Sequence, residues 1–138
     1  MKQHISQIAI VVKDYDEAID FYTKKLDFTL IEDTRLDEHK RWVVVAPQGA
    51  EECGLLLAKA KNEKQLESVG NQTGGRVGFF LFTDDFWRDY KKMTERKIKF
   101  IRTPSQFEYG TVAVFEDLYG NLWDFIEPSE KNKSRLKK

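Results

Sequence analysis

Ile5-Ser-Gln-Ile-Ala-Ile-Val-Val-Lys-Asp14, continued by Tyr15-Asp-Glu-Ala-Ile-Asp-Phe-Tyr-Thr-Lys-Lys-Leu26, reads as a strand, an acidic turn and a helix. Roughly 70 residues later the chain repeats the statement in other letters, as Val77-Gly-Phe-Phe-Leu-Phe-Thr-Asp84 followed by Asp85-Phe-Trp-Arg-Asp-Tyr-Lys-Lys-Met93. A supersecondary unit of this size cannot bury its apolar face alone, so two copies in one chain imply one body built from paired modules. In the first strand Gln7, Ala9 and Val11 point one way and Ile8, Ile10 and Val12 the other. Apolar residues on both sides predict a strand covered on both faces. Asp14 or Asp16 can cap the helix, whose stripe is Ala18, Ile19, Tyr22 and Leu26 at spacings of three and four.

Working outward, residues 28–34, 41–46 and 54–58 are β-rich and are divided by the polar turn 36–40 and by Pro47-Gln-Gly49, which completes a βαβββ module. Residues 61–75 are polar, carry a weak helical stretch at 63–69 and end in Asn71-Gln-Thr-Gly-Gly75, as a joint would. In the second module residues 77–83 are strand, Asp84 or Asp85 caps a helix bearing Phe86, Tyr90 and Met93, and residues 99–102 return as strand until Pro104 ends it. Residues 110–116 and 122–127 are strands joined by Asp117-Leu-Tyr-Gly-Asn121, whose Gly-Asn pair is expected to supply the positive φ of a tight turn. The domain expected is 1–128, with modules at 1–60 and 76–128, followed by a tail at 129–138.

With 138 residues, 41% of them hydrophobic and 13% aromatic, the chain suits one domain with a real core. Twenty-three basic residues balance twenty-three acidic ones, so no electrostatic footprint favours nucleic acid or an anionic membrane. The exception is Lys131-Asn-Lys-Ser-Arg-Leu-Lys-Lys138, read as a solvated tail. Cys53 is the only cysteine, which excludes an internal disulfide and any CxxC motif, and its neighbours Glu51 and Glu52 argue for a structural rather than reactive thiol. No apolar run is long enough to cross a bilayer and no signal peptide is evident, so the cytoplasm is expected.

At Ile8-Ala-Ile-Val-Val-Lys-Asp-Tyr-Asp-Glu-Ala-Ile-Asp-Phe-Tyr-Thr-Lys-Lys-Leu26, Gly75-Arg-Val-Gly-Phe-Phe-Leu-Phe-Thr-Asp84 and Gly110-Thr-Val-Ala-Val-Phe-Glu-Asp-Leu-Tyr-Gly-Asn-Leu-Trp-Asp124 the chain resembles the vicinal oxygen chelate superfamily, the group of glyoxalases, extradiol dioxygenases and bleomycin-resistance proteins. The resemblance implies an α+β fold in which two βαβββ modules form a curled mixed sheet around a cleft. In metal-dependent members four strand residues, usually His and Glu, hold one divalent ion. Carried onto this chain those positions are Gln7, Leu56, Gly78 and Asp124, and only Asp124 is an ordinary ligand.

His4 and His39 are the whole histidine inventory, His4 expected on the face opposite Gln7 and His39 in the charged turn 37–40. No Ser/His/Asp set or glycine-rich phosphate loop can be assembled. No metal ligand and no cofactor are therefore assigned. The face shared with the four positions should carry Ala9, Trp42, Val44, Phe80 and Ile126, an apolar surface with few polar groups, as small-molecule pockets are built. Gln7, Trp42, Leu56, Gly78, Phe80 and Asp124 are the ligand-binding candidates, and Asp124 is also the one candidate for a catalytic base. Arg102, Phe107 and Tyr109 are secondary candidates in or beside a loop at 103–108, with Arg102 expected to pair with Glu108. Trp87 and Trp123 are read as packing residues.

Two functions of different class follow. One is a metal-free homodimer that binds a small, partly aromatic molecule without transforming it, net neutrality arguing against a strongly cationic ligand. The other is a metal-dependent glyoxalase-like lyase or isomerase, or an extradiol-type dioxygenase, which would need a divalent ion. A domain serving assembly alone is a third.

Overall fold

The computed structural model describes residues 1–130; the basic run at 131–138 lies outside the described residues. The chain divides into two compact units, Met1–Gln72 and a second beginning at Thr73.

In the first unit β1 (Gln7–Val12), β2 (Thr29–Arg35), β3 (Arg41–Ala46) and β4 (Gly54–Lys59) form a sheet of order β1-β4-β3-β2, with β1 parallel to β4 and the other pairs antiparallel. Helix α1 (Tyr15–Asp20) begins where Asp14 Oδ2 accepts from Glu17 N at 2.9 Å, so Asp14 and not Asp16 is the cap. The helix then widens into a π-helical turn at Phe21–Lys25. That extra residue per turn rotates the buried stripe: Phe21 and Tyr22 are buried together with Tyr15 and Ala18, while the expected Ile19 and Leu26 are only partly covered. Asp27, at φ 59°, turns the chain, and Phe28 drops out of the strand to pack on Tyr22 at 5.6 Å.

Strand β1 is not covered on both faces. Ile10 and Val12 are buried, whereas Ala9 is exposed. Its free edge is instead closed by one side chain: Gln72 Oε1 accepts from Val11 N and Gln72 Nε2 donates to Ala9 O, each at 2.8 Å. The amide thus takes the place of a peptide group on a missing neighbour strand. Helix α2 (Glu63–Ser68), capped by Asn62, precedes this contact.

Arg41 ties the outer strands to α1. Its guanidinium donates to both Asp33 oxygens, at 3.0 and 2.6 Å, and to Asp16 Oδ1 at 2.9 Å, while lying over the Tyr15 ring. The bidentate hydrogen bond from Arg41 holds the Asp33 carboxyl below the usual carboxylate range against the opposing effect of burial. Because the folded value is the depressed one, this stabilisation is complete above the ordinary Asp pKa of about 4 and is lost as pH falls through the lower folded value. The urea midpoint should therefore fall more steeply below about pH 4 in the wild type than in Arg41→Met; equal slopes would show that the pair contributes nothing.

In the second unit β5 (Val77–Phe82), β6 (Lys99–Phe107), β7 (Gly110–Glu116) and β8 (Leu122–Pro128) form a sheet of order β5-β8-β7-β6, with β5 parallel to β8. This repeats the first sheet strand for strand. Asp85, not Asp84, caps α3 (Phe86–Glu95), accepting from Arg88 N at 3.2 Å, and Glu127 Oε1 accepts from Phe86 N at 2.7 Å. Between helix and sheet lie Phe86, stacked on Tyr90 and tilted against Phe125, and the column Phe79, Trp123 and Phe115 with centroid spacings of 4.6 and 5.7 Å. Trp123 packs as expected; Trp87 is 54% exposed and touches Phe86 and Tyr90 with its edge.

Two details of the second unit depart from expectation. Pro104 does not end β6, which runs on to Phe107. The strand lies at the sheet edge and its register shifts between Arg102 and Ser105, so the ladder asks no N–H of residue 104. In the 117–121 turn only Gly120 has positive φ, at 106°. Asn121 is buried and its side-chain amide donates to Asp117 Oδ2 at 2.9 Å.

Candidate ligand-binding faces

Each sheet has one face under its helix and one without such cover. On the second unit's open face the register sets residues in rows. Arg102, Val114, Asp124 and Phe80 lie side by side across β6, β7, β8 and β5; Ser105, Val112, Ile126 and Phe82 form the next row. Phe80 is 62% and Phe82 46% exposed, large values for aromatic rings, on the edge strand β5. Asp124 is half-buried among them, and among the described residues its carboxylate has no hydrogen bond or ion pair. Burial pushes its pKa up, and the Arg102 guanidinium on the same face partly offsets this. The expected Arg102–Glu108 pair does not form. The segment expected as a loop is strand, and pairing with β7 holds Arg102 in the Asp124 row. At the hairpin tip the half-exposed rings of Phe107 and Tyr109 stack at 5.1 Å and 2°.

Gly78 lies at a register shift between Val77 and Phe79. A Cβ there would come within 2.6 Å of Thr73 Cγ2, and Thr73 is pinned by its hydroxyl donating to Arg76 O. Glycine is needed because the Thr73 side chain occupies the space.

On the first unit's open face Ala9, Leu56, Val44 and Glu32 form one row, with Gln7 beside Gly54 on the same side and Trp42 opposite Thr34. Gln7 Oε1 accepts a weak hydrogen bond from Ser6 Oγ at 3.4 Å, and Thr34 Oγ1 donates to Glu32 Oε2 at 3.0 Å. Thus Gln7, Trp42 and Leu56 share one face of the first sheet, and Phe80 and Asp124 one face of the second. His4 lies before β1 and exposed, so it takes no strand face, and the Cys53 thiol is exposed at the start of β4 rather than packed. A feature with no clear signal in the sequence is a groove of about 610 Å³ in the first unit, lined by Tyr15, His39, Lys40, Lys59 and Lys61 among others. Its walls come from the 36–40 turn and the end of β4, which are distant in sequence.

The family model described as Glyoxalase/Bleomycin resistance protein/Dioxygenase superfamily matches residues 4–125. The chain belongs to this superfamily. An uncharacterized protein of Shewanella frigidimarina (strain NCIMB 400) is 60% identical over 132 residues, covering 95% of this chain and 98% of its own. Among solved structures, UcmS2 superposes with a TM-score of 0.80 at 28% identity, over 92% of this chain and 99% of its own. TnmS3, described as an antibiotic-binding protein from Streptomyces sp. CB03234, does so with a TM-score of 0.74 at 29% identity, over 93% and 98%.

A divalent ion of the kind held by the superfamily's metal-dependent members does not fit the donors this chain offers at the corresponding positions. An amide at Gln7, a hydrocarbon at Leu56 and no side chain at Gly78 leave one carboxylate, and Thr73 fills the space over Gly78. Among the described residues no group of three or more His, Cys, Asp or Glu side chains is gathered to hold a metal. Nor does any described helix have the length and apolarity to cross a membrane.

Proposed function

We propose that this member of the superfamily is a small-molecule-binding homodimer that works without a metal or organic cofactor. The observation that carries the reading is Asp124, a half-buried carboxylate without a partner among the described residues, set in an exposed apolar face beside Phe80 and Phe82. An apolar surface with one placed polar group is the composition of a site that orients an aromatic ligand. The contacts proposed on the second unit's open face are Phe80 and Asp124, Gly78 being covered by Thr73; Gln7, Trp42 and Leu56 are proposed as a separate set on the first unit's open face. The likeness to TnmS3, described as antibiotic-binding, supports small-molecule binding. Self-association is supported by the further exposure of Ile8, Ile31, Ile101 and Phe107.

The test is a titration with 1-naphthol followed by tryptophan fluorescence. Phe80→Asp is expected to weaken binding at least tenfold with little change in unfolding midpoint, because the residue stands on the surface. Equal binding by the variant would remove Phe80 from the site, and absence of binding to the wild type would count against the reading. Sedimentation should give twice the mass of one chain; a monomer at micromolar concentration would overturn the dimer.

A further inference from the structure

Arg102 and Asp124 sit in the same row of the second sheet with Val114 between them, so their strands are separated by two strand spacings, roughly 9.5 Å. Arg102 offers only donors and Asp124, when ionised, only acceptors. Among the described residues neither makes an ion pair or hydrogen bond. Apart from Ser105 in the next row, the side chains around them are hydrocarbon: Val114, which is buried, and Val112 between, Ile126, Phe80 and Phe82 beside Asp124. A flat molecule laid over this face strips water from both charges at once. Unless it pairs them, two charged groups are left desolvated, which costs more than the apolar contact returns.

Resting on the binding reading above, we infer that the ligand of this face is a flat aromatic molecule with a hydroxyl at one end, donating to Asp124, and a carboxylate or carbonyl at the other, accepting from Arg102. Charge selects the same class. The two groups sum to zero, so a cation gains from Asp124 what it loses to Arg102, and a simple anion the reverse. Only a molecule with both ends in place satisfies both.

Four probes of one ring size test this: 6-hydroxy-2-naphthoic acid, 6-methoxy-2-naphthoic acid, 2-naphthol and 2-naphthoic acid, each titrated by tryptophan fluorescence. The hydroxy acid is expected to bind at least tenfold more tightly than any other. Arg102→Met should erase its advantage over 2-naphthol but not over the methoxy acid, and Asp124→Leu the converse. Comparing the hydroxy and methoxy acids on the unmodified protein keeps the test independent of how the variants fold. Equal affinity for all four, or a preference that follows the carboxylate alone, overturns the dipolar ligand while leaving small-molecule binding in place. Failure of all four to bind overturns both.

Discussion

Asp117→Ala should destabilise the second unit by about 4 kcal/mol, since it strips acceptors from several donors that are buried or partly so. Asp117 is 5% exposed in the β7–β8 turn. Its Oδ1 accepts from the backbone N–H of Tyr119, Gly120 and Asn121 at 3.0–3.1 Å, and its Oδ2 from Asn121 Nδ2 at 2.9 Å and Trp123 Nε1 at 3.2 Å. One carboxylate therefore shapes the turn and links it to the aromatic column under α3. Asp117→Asn should cost about half as much, because the amide oxygen still serves the three backbone groups while its NH2 faces Trp123 Nε1. Urea unfolding read by tryptophan fluorescence ranks the three proteins. An alanine variant within about 1 kcal/mol of the wild type would mean that water replaces the carboxylate at no great cost.

Phe86→Ala is expected to cost about 4 kcal/mol, within the range for emptying a buried phenylalanine site. Phe86 is fully buried, and its ring lies 5.0 Å from Phe125, 5.6 Å from Tyr90 and 5.0 Å from Trp87. These neighbours are themselves large rings fixed on two elements, α3 and β8, so the space left by the side chain cannot close easily. The N–H of residue 86 keeps its bond to Glu127, which isolates the packing effect from the cap. Phe80→Ala makes the contrast: on the open face it should cost under about 0.5 kcal/mol yet weaken binding of 1-naphthol. If both variants lost stability equally, Phe80 would have to be a core residue.

Much of the fold was legible. The duplicated βαβββ order, the caps Asp14 and Asp85 among the candidates named, and strand β3 at 41–46 all follow from local signals: a period of two, acidic residues before an apolar stripe, and turn residues between runs. Face sharing was legible for the same reason, since residues two apart in a strand point the same way whatever the strand pairs with. That is why Ala9 goes with Gln7, Val44 with Trp42, and Ile126 with Asp124 whatever their strands pair with.

The departures share another cause. Pro104 looked like a strand end because proline lacks a donor, but a strand at the sheet edge with a bulge at that point has no use for one, and edge position is not a local property. Local spacing points Arg102 to its near neighbour Glu108; pairing with β7 instead puts it in line with Asp124, more than twenty residues away. The π turn that brings Phe21 inward is set by how the helix must meet its sheet, and a helical stripe read at 3.6 residues per turn misplaces it.

By itself, then, the sequence determined the order of elements, the residues each strand shows to one side, and the shortage of metal-binding side chains, because these depend on backbone geometry over a few residues and on chemical type. Tertiary structure alone decided which strands lie at edges, how the Gln72 amide closes β1, and that a guanidinium and a carboxylate share one apolar row. Those outcomes come from hydrogen-bonded pairing between segments far apart in the chain, whose register is chosen by the packing of whole faces and leaves no mark on any short stretch of residues.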